Sequence, residues 1–348
     1  MTRTKFALAA LAITLVMSAQ MSAFAADPLS IMSFGGAYQE AQRKAMFEPY
    51  TAATGIAINE QEYGGEIAKI KAMVDSGNIT IDVVDVDAPT LMQGCDEGIY
   101  EKIDWAAIGD QAEWISGTAS ECGVGTIVYA TALAYDGDKL ASGPSTINDL
   151  FDTAKFPGKR GLWKNPTTNL EFALMADGVA PADVYKTLST PEGVDRAFAK
   201  LDTIKKDIVW WESGAQAPQL LVSGEVVMTT AWNGRINNAN KEGKNLKIVW
   251  DSEILDSNFW AIPKGAKNVK GSLEFIKFAV EPKNLAGLTN YIPYGPVRTT
   301  AAEFVKPDVA AVLPTSPDNM KVALTLDNAF WADHGEEIRK RFTTWISQ

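Results

Sequence analysis

The sequence predicts an α/β protein with two lobes, on three observations. The chain has 348 residues, and this length favours two domains because a domain typically has roughly 100–200 residues. Its first part alternates strand-like and helix-like periods with short connections. A long β-rich run at residues 123–135 and a second one at 258–263 mark the two places where the chain is expected to cross between lobes.

The opening of the chain predicts a β-α-β-α-β unit. Apolar residues recur there with a period of two or with a helical period, and glycines separate the segments. The expected elements are strands at residues 29–34, 56–63 and 81–86 and helices at 38–51 and 66–74. Short connections between such elements imply a parallel or mixed sheet with right-handed crossovers.

The remaining chain predicts the second lobe and a return to the first. The expected elements are helices at 170–176, 194–206 and 272–280, a β-rich run at 226–232, a strand at 247–250 and a largely helical segment at 320–346. We therefore expect one lobe to comprise residues 26–135 plus about 261–301. The other lobe is expected to comprise residues 136–260 plus about 302–348.

The first 25 residues are typical of a secretory signal peptide. Arg3 and Lys5 precede an apolar stretch, and Ala23-Phe24-Ala25 supplies a small-x-small cleavage pattern. The alternative, a membrane anchor, is disfavoured because a spanning helix needs about 20 apolar residues. Cleavage is expected before Ala26, and losing Arg3 and Lys5 changes the formal net charge from −11 to −13.

Cys95 and Cys122 are the two cysteines of the chain. Oxidising compartments favour disulfides, so export predicts that they pair. The alternative is two buried free thiols.

Composition excludes several classes of function. The 43 acidic residues exceed the 32 basic ones, whereas a nucleic-acid-binding surface needs the opposite balance. The chain has one histidine, His334, so multi-histidine metal sites are excluded. Dinucleotide, nucleoside-triphosphate and G-x-S-x-G motifs are also missing from the sequence. We expect no catalytic residue, no metal and no cofactor.

The residues leave three candidate features for binding. Gly35 and Gly36 follow a strand and precede a helix, where free backbone amides can hold an anion, although a tight turn explains them equally. Asp87 ends the segment IDVVDVD and is a candidate ligand contact. Tryptophans beside turns, Trp232 among them, can cover an aliphatic or cationic ligand, while most of the ten are expected in the core.

The order of several segments resembles the periplasmic spermidine/putrescine-binding proteins of ABC importers. The matching segments are LSIMSFGGAYQEA, FEPYTAATGIAINEQEY, IDVVDVD, LVSGEVVMTTAWNGR, NFWAIPKGAKN and YIPYGPVRTTA. The resemblance implies the two-lobe periplasmic binding protein fold, in which each lobe is a mixed β-sheet flanked by helices and crossover strands join the lobes. It also implies a monomer in the periplasm that binds a small amine-bearing solute, is not an enzyme, and delivers the solute to a permease in the inner membrane.

The resemblance also implies a set of ligand contacts. Matching positions are Phe34, Tyr38, Asp87, Trp232 and Tyr294. A diamine site in this family uses carboxylates where this chain has residues 164–169 and Asp256-Ser257-Asn258, and asparagines occupy several of those positions.

Arg235 changes the expected ligand, because it directly follows Trp232-Asn233-Gly234. An arginine binds a carboxylate through two hydrogen bonds, and a carboxylate beside aromatic rings suits an ammonium. We expect Asp256 or Asp87 to pair with an ammonium, and Arg235 with the amides after Gly35 to hold a carboxylate. A polyamine and an ω-amino acid or opine-like conjugate fit the site about equally. The alternative for Arg235 is a residue on the surface of a helix. The alternative function is an exported enzyme acting on a small amine or amino-acid conjugate.

Overall fold

The computed structural model describes residues 27–348, so the expected signal peptide and its cleavage before Ala26 lie outside the described residues. Within this part of the chain there are ten strands. They are β1 (Leu29–Ser33), β2 (Ile58–Glu62), β3 (Val83–Asp87), β4 (Gly123–Asp136), β5 (Arg160–Trp163), β6 (Ile208–Trp211), β7 (Met228–Trp232), β8 (Leu246–Ala261), β9 (Gly295–Pro296) and β10 (Leu324–Thr325).

Helices flank these strands. They are α1 (Gly36–Gln42), α2 (Glu48–Thr54), α3 (Ile67–Ser76), α4 (Ala88–Asp96), α5 (Trp105–Ile108), α6 (Asn148–Phe151), α7 (Asn169–Ala176), α8 (Val184–Leu188), α9 (Pro191–Asp202), α10 (Gln216–Ser223), α11 (Asn233–Lys241), α12 (Val269–Ala279), α13 (Pro282–Leu288), α14 (Pro307–Ala310) and α15 (Asn328–Ile346). A π-helical turn, Arg43–Phe47, joins α1 to α2. None of the helices in residues 27–348 combines the length and apolar character needed to cross a membrane.

The strands form a mixed sheet in the order β2-β1-β3-β8-β4-β7-β5-β6. On one side β1 pairs in parallel with β2 and β3, and on the other β5 pairs in parallel with β6 and β7. The two longest strands, β4 and β8, run antiparallel between these groups and connect them. The β-α-β-α-β opening predicted from the sequence is present.

The apolar residues form separate cores on either side of the sheet's centre. A first core collects buried side chains from residues 29–130 and 255–301. A second core draws on residues 133–204 and on the end of the chain, from Leu324 to Trp345, with a smaller cluster around Trp211 beside it. The change between cores falls within β4, between Ala130 and Leu133, and within β8, between Ile254 and Leu255. We propose that these cores are the centres of the two lobes.

Three segments differ from the sequence-based expectation. The expected strand at 247–250 and the return crossing at 258–263 belong to one continuous strand, β8, which the irregular Ser252 (φ 58°) interrupts without ending. The segment 320–346 contains β10 before α15 begins, since Leu324 and Thr325 pair with β8. The helix expected at 194–206 ends at Asp202 and a short 3₁₀ turn follows.

The two cysteines are joined. Cys95, near the end of α4, is disulfide-bonded to Cys122, one residue before β4, and their Cα atoms are 5.8 Å apart. The bond therefore ties the helix that starts at Asp87 to the beginning of the long connecting strand.

Candidate functional site

The centre of the sheet brings polar side chains from three strands onto one face. In the antiparallel pairing of β3 with β8, Asp87 is the cross-strand partner of Asn258, and in that of β8 with β4, Asp256 is the partner of Tyr129. Cross-strand partners point to the same face, and their Cβ atoms lie roughly 4.5–5.5 Å apart. Register therefore places residues that are far apart in sequence side by side.

These side chains border a chamber between the two cores. It is lined by Phe34, Tyr38, Asp87, Ile127, Tyr129, Trp163, Trp232, Arg235, Asn258 and Tyr294. The rings form a continuous wall, with centroid distances of 5.5 Å between Tyr38 and Tyr294 and 6.1 Å between Tyr129 and Trp232. The chamber combines an apolar wall with a few polar groups, which is typical of small-molecule sites.

The local chain path explains how Trp232 and Arg235 reach the chamber together. Trp232 is the last residue of β7 and directly precedes α11, so Arg235 lies in the first turn of that helix. Its guanidinium carbon lies 5.9 Å from the Trp232 ring centroid. Arg235 is only 5% exposed and donates to the Gly35 carbonyl from Nη1 at 3.3 Å and from Nη2 at 3.2 Å. It is thus not a surface residue of the helix.

Two carboxyl groups occupy the other side of the site. Asp87 caps α4 by accepting a hydrogen bond from the Thr90 amide at 2.9 Å. Asp256 accepts from the Tyr129 hydroxyl at 3.0 Å and from the Ser257 amide at 2.7 Å. Burial, followed by the charge of Asp87, raises the pKa of Asp256 to about 8, and burial also raises the pKa of Asp87. A positive charge placed between the two carboxyl groups would favour the ionised form of both.

The charges of this site lack a salt-bridge partner in the described residues, although the charge of Arg339 acts on Asp87 and opposes the rise of its pKa. Within residues 27–348, neither Arg235 nor Asp87 nor Asp256 takes part in a salt bridge. A buried charge is costly unless it is paired. The site therefore offers a guanidinium at one place and two buried carboxyl groups at another, none of them held in a salt bridge within residues 27–348.

The residues predicted from the sequence come together, with two differences. Phe34, Tyr38, Asp87, Trp232, Arg235 and Tyr294 line the chamber. Asp256 borders an adjoining open compartment instead, which shares Asp87, Tyr129 and Trp163 with the chamber.

Gly35 itself does not line the chamber, and the expectation that the amides after it hold a carboxylate stays a prediction. The N–H of Gly35 donates to the Gln39 side chain at 3.1 Å, so that amide is occupied. Gly35 contributes its carbonyl, which accepts from Arg235.

Four lining residues were not predicted as ligand contacts: Ile127, Tyr129, Trp163 and Asn258. Alternation along β4 could have indicated that Ile127 and Tyr129 share a face, but not which face borders the chamber. For Asn258 the sequence indicates only that it stands where a diamine site of the related family has a carboxylate.

Known proteins resemble this chain along nearly its whole length. The sequence profile of the family described as "Bacterial extracellular solute-binding protein" matches residues 45–315. A gamma-aminobutyric acid-binding protein of Pseudomonas aeruginosa is 48% identical over 320 residues, which cover 92% of this chain and 91% of the relative. The spermidine/putrescine-binding periplasmic protein of Escherichia coli is 25% identical over 327 residues, covering 89% of each chain.

Solved structures share the fold. A periplasmic binding protein from A. tumefaciens in complex with agropinic acid superimposes with a TM-score of 0.85 at 36% identity, over 93% of this chain and 99% of the other. A GABA receptor superimposes with a TM-score of 0.82 at 34% identity, over 92% of this chain and 97% of the other. The expected two-lobe binding-protein fold is confirmed.

Proposed function

The chain belongs to the bacterial extracellular solute-binding protein family, and from this premise we propose that it captures a zwitterionic ω-amino acid of the γ-aminobutyrate class in the chamber between its two cores. As a member of this family it is the substrate-binding protein of an ABC importer, not an enzyme. The observation that carries the ligand proposal is the buried Arg235, which forms no salt bridge within residues 27–348 and faces the same chamber as the carboxyl group of Asp87.

Arg235 supports a carboxylate at one end of the ligand. Its guanidinium has five N–H donors, and its partners in the protein are backbone carbonyls at 3.2–3.5 Å. Those bonds are longer than the roughly 2.7–2.9 Å of hydrogen bonds between arginine and carboxylate. A ligand carboxylate gives the guanidinium the negative charge that the neutral carbonyl of Gly35 lacks.

Asp87 and Asp256 support an ammonium at the other end. An ammonium between two carboxylates relieves their mutual repulsion and the cost of burying them. Tyr129 adds its ring beside this position, and a cation over an aromatic face gains about 0.5–2 kcal/mol.

The rings between the two ends support a short apolar stem. Trp232 lies 5.7 Å from Trp163 and 6.1 Å from Tyr129, measured between ring centroids. Each methylene of a ligand buried against such rings contributes about 0.8 kcal/mol.

A diamine fits these charges less well than an amino acid. Its second ammonium comes to lie against Arg235, and two like charges at about 4 Å repel by about 4 kcal/mol at an effective dielectric constant of about 20. The 48% identity to a gamma-aminobutyric acid-binding protein supports the same choice, since the polyamine-binding relative is 25% identical. An opine-like conjugate shares both charged ends and remains within the proposed class.

Calorimetry of the purified mature protein tests the proposal. γ-Aminobutyrate should bind, while putrescine and spermidine should bind at least tenfold more weakly. Arg235→Ala should weaken γ-aminobutyrate binding at least thirtyfold, about 2 kcal/mol. The matched control is Arg341→Ala, since Arg341 is half-exposed and pairs with Asp195 on the surface. Tight putrescine binding that is unchanged in Arg235→Ala would overturn the proposal and restore the polyamine assignment.

We further propose that the protein acts as a periplasmic monomer after cleavage before Ala26. The support is the signal-like start of the sequence and the periplasmic description of the E. coli relative. N-terminal sequencing of the protein from a periplasmic extract should begin at Ala26-Asp27-Pro28. Light scattering should report the mass of a single chain.

A further inference from the structure

A carboxyl group that does not border the chamber lies directly behind its wall. Asp85 on β3 is 0% exposed, as are Ser33 and Gln42, whose side chains donate to its Oδ2. The single hydroxyl proton of Ser33 is shared between Asp85 Oδ2 and Gln42 Oε1, which is the nearer acceptor at 2.7 Å, so the three side chains form a closed network. Its fourth member is Asn258, which donates from Nδ2 to Asp85 Oδ1 at 2.7 Å.

The contact with Asp85 decides which end of the Asn258 amide faces the ligand. An ionised carboxylate only accepts hydrogen bonds, so the NH₂ group of Asn258 must turn toward Asp85. The carbonyl oxygen, Oδ1, is then directed the other way. Asn258 is 4% exposed and lines the chamber, and no group within residues 27–348 donates to its Oδ1. Because Asn258 is the cross-strand partner of Asp87, this oxygen lies on the acidic side of the chamber.

We propose that Asp85 is a positioning residue that holds Asn258 with its Oδ1 toward the chamber, as a fixed acceptor for the N–H groups of the ligand's ammonium end. The inference rests on the proposed function and adds a requirement to it: the ligand must present N–H donors at this end. An ammonium has three N–H donors. Asp87, Asp256 and Asn258 supply three acceptors with only two negative charges.

A neutral hydrogen-bond acceptor at this position avoids adding a third negative charge. A third carboxylate beside Asp87 and Asp256 would raise the repulsion among buried acids, which already raises the pKa of Asp256. An asparagine adds an acceptor without charge, but its amide can rotate to present donors instead. The buried Asp85 removes that freedom.

The experiment compares γ-aminobutyrate with butyrate, which lacks the ammonium. Asp85→Leu removes the acceptor for Asn258 while keeping the same branched arrangement of side-chain heavy atoms, and Asn258→Ala removes the proposed contact itself. Each variant should weaken γ-aminobutyrate binding at least tenfold and change butyrate binding less than threefold. Asp85→Asn should keep most of the affinity, because its amide oxygen still accepts from Asn258 once Gln42 turns over. Measurements at pH 8.5 keep Asp85 ionised, since burial raises its pKa to about 7.

The control is Asp82→Leu, because Asp82 precedes the same strand but accepts from the Ser30 amide, away from the chamber. Equal loss of both ligands in Asp85→Leu and Asn258→Ala would show a merely structural role and overturn the inference. If Asp85→Leu does not fold, two other results decide the question. They are the difference between the losses of γ-aminobutyrate and butyrate binding in Asn258→Ala, and the affinity that Asp85→Asn retains. If the wild-type protein binds putrescine and not γ-aminobutyrate, the proposed function is overturned but the inference about Asp85 is not. The inference then requires that Asp85→Leu and Asn258→Ala each weaken putrescine binding at least tenfold.

Discussion

Arg235 donates two hydrogen bonds to the carbonyl oxygen of Gly35, a residue 200 positions earlier in the chain. Gly35 lies two residues after the end of β1 in the first core, whereas Arg235 lies in the first turn of α11, after β7, on the other side of the chamber. The bonds hold the two sides of the chamber together and place the guanidinium where a ligand carboxylate is expected.

Gly35 has a backbone conformation that only glycine adopts readily. Its φ of 62° and ψ of −174° are strained for any residue with a Cβ atom. We predict that Gly35→Ala moves the carbonyl away from Arg235 and weakens ligand binding at least tenfold by calorimetry. The matched control is Gly55→Ala: Gly55 also has a positive φ, 77°, but an added Cβ meets nothing within 4 Å. It should lose stability and keep its affinity; equal affinities for both variants would contradict the prediction.

Trp232 is predicted to anchor the ligand's stem. Its ring touches Tyr129, Trp163 and Arg235 at the chamber wall. Trp232→Ala should weaken binding at least tenfold, about 1.4 kcal/mol, while the protein remains folded by circular dichroism. Trp210→Ala serves as the control, because Trp210 packs against Phe342 and Trp345 in the second core. A Trp232→Ala protein with unchanged affinity would make this ring part of the scaffold only.

Ligand binding is predicted to release a proton near neutral pH. In the free protein burial raises the pKa of Asp256 to about 8, so at pH 7 this carboxyl is mostly protonated. An ammonium beside it favours the charged form and lowers the pKa. Affinity should therefore fall as pH falls below about 8, by up to tenfold per pH unit.

Titration at pH 7 in phosphate and in Tris measures this release, because the two buffers differ in ionisation enthalpy. The apparent binding enthalpy should differ between them, and Asp256→Asn should remove most of the difference. The same enthalpy in both buffers would show that Asp256 does not change its protonation on binding.

The Cys95–Cys122 disulfide is predicted to stabilise the fold without forming part of the binding site. It closes a loop of 27 residues in sequence separation, and constraining such a loop in the unfolded chain contributes about 3–4 kcal/mol. Cys95→Ala/Cys122→Ala should lower the free energy of unfolding by this amount in urea titrations. Reduction should have the same effect on the wild type and none on the double variant. Two titratable thiols in the denatured, unreduced wild type would show that the bond does not form.

Local patterns in the sequence were sufficient for most elements and for part of the site. The β-α-β-α-β opening follows from apolar periodicity and glycine breaks, which act over a few residues. Trp232 and Arg235 could be predicted together because Trp232 ends β7 and Arg235 lies in the first turn of α11, which follows directly. The expectation was wrong at Ser252, a non-glycine residue with a φ of 58°. The strand β8 continues past this irregular residue, whereas the sequence pattern predicted that it ends before it.

Sequence patterns and the family resemblance were enough to predict an α/β solute-binding protein with aromatic rings, an arginine and aspartates available for a small amine-bearing ligand. Which of these groups meet depends on the tertiary structure. Asp87, Asn258 and Tyr129 become neighbours through the register of β3, β8 and β4. The contact between Arg235 and Gly35 depends on the packing of the two cores across the chamber. Register and packing are set by contacts summed over the whole sheet, and no local run of residues contains that information.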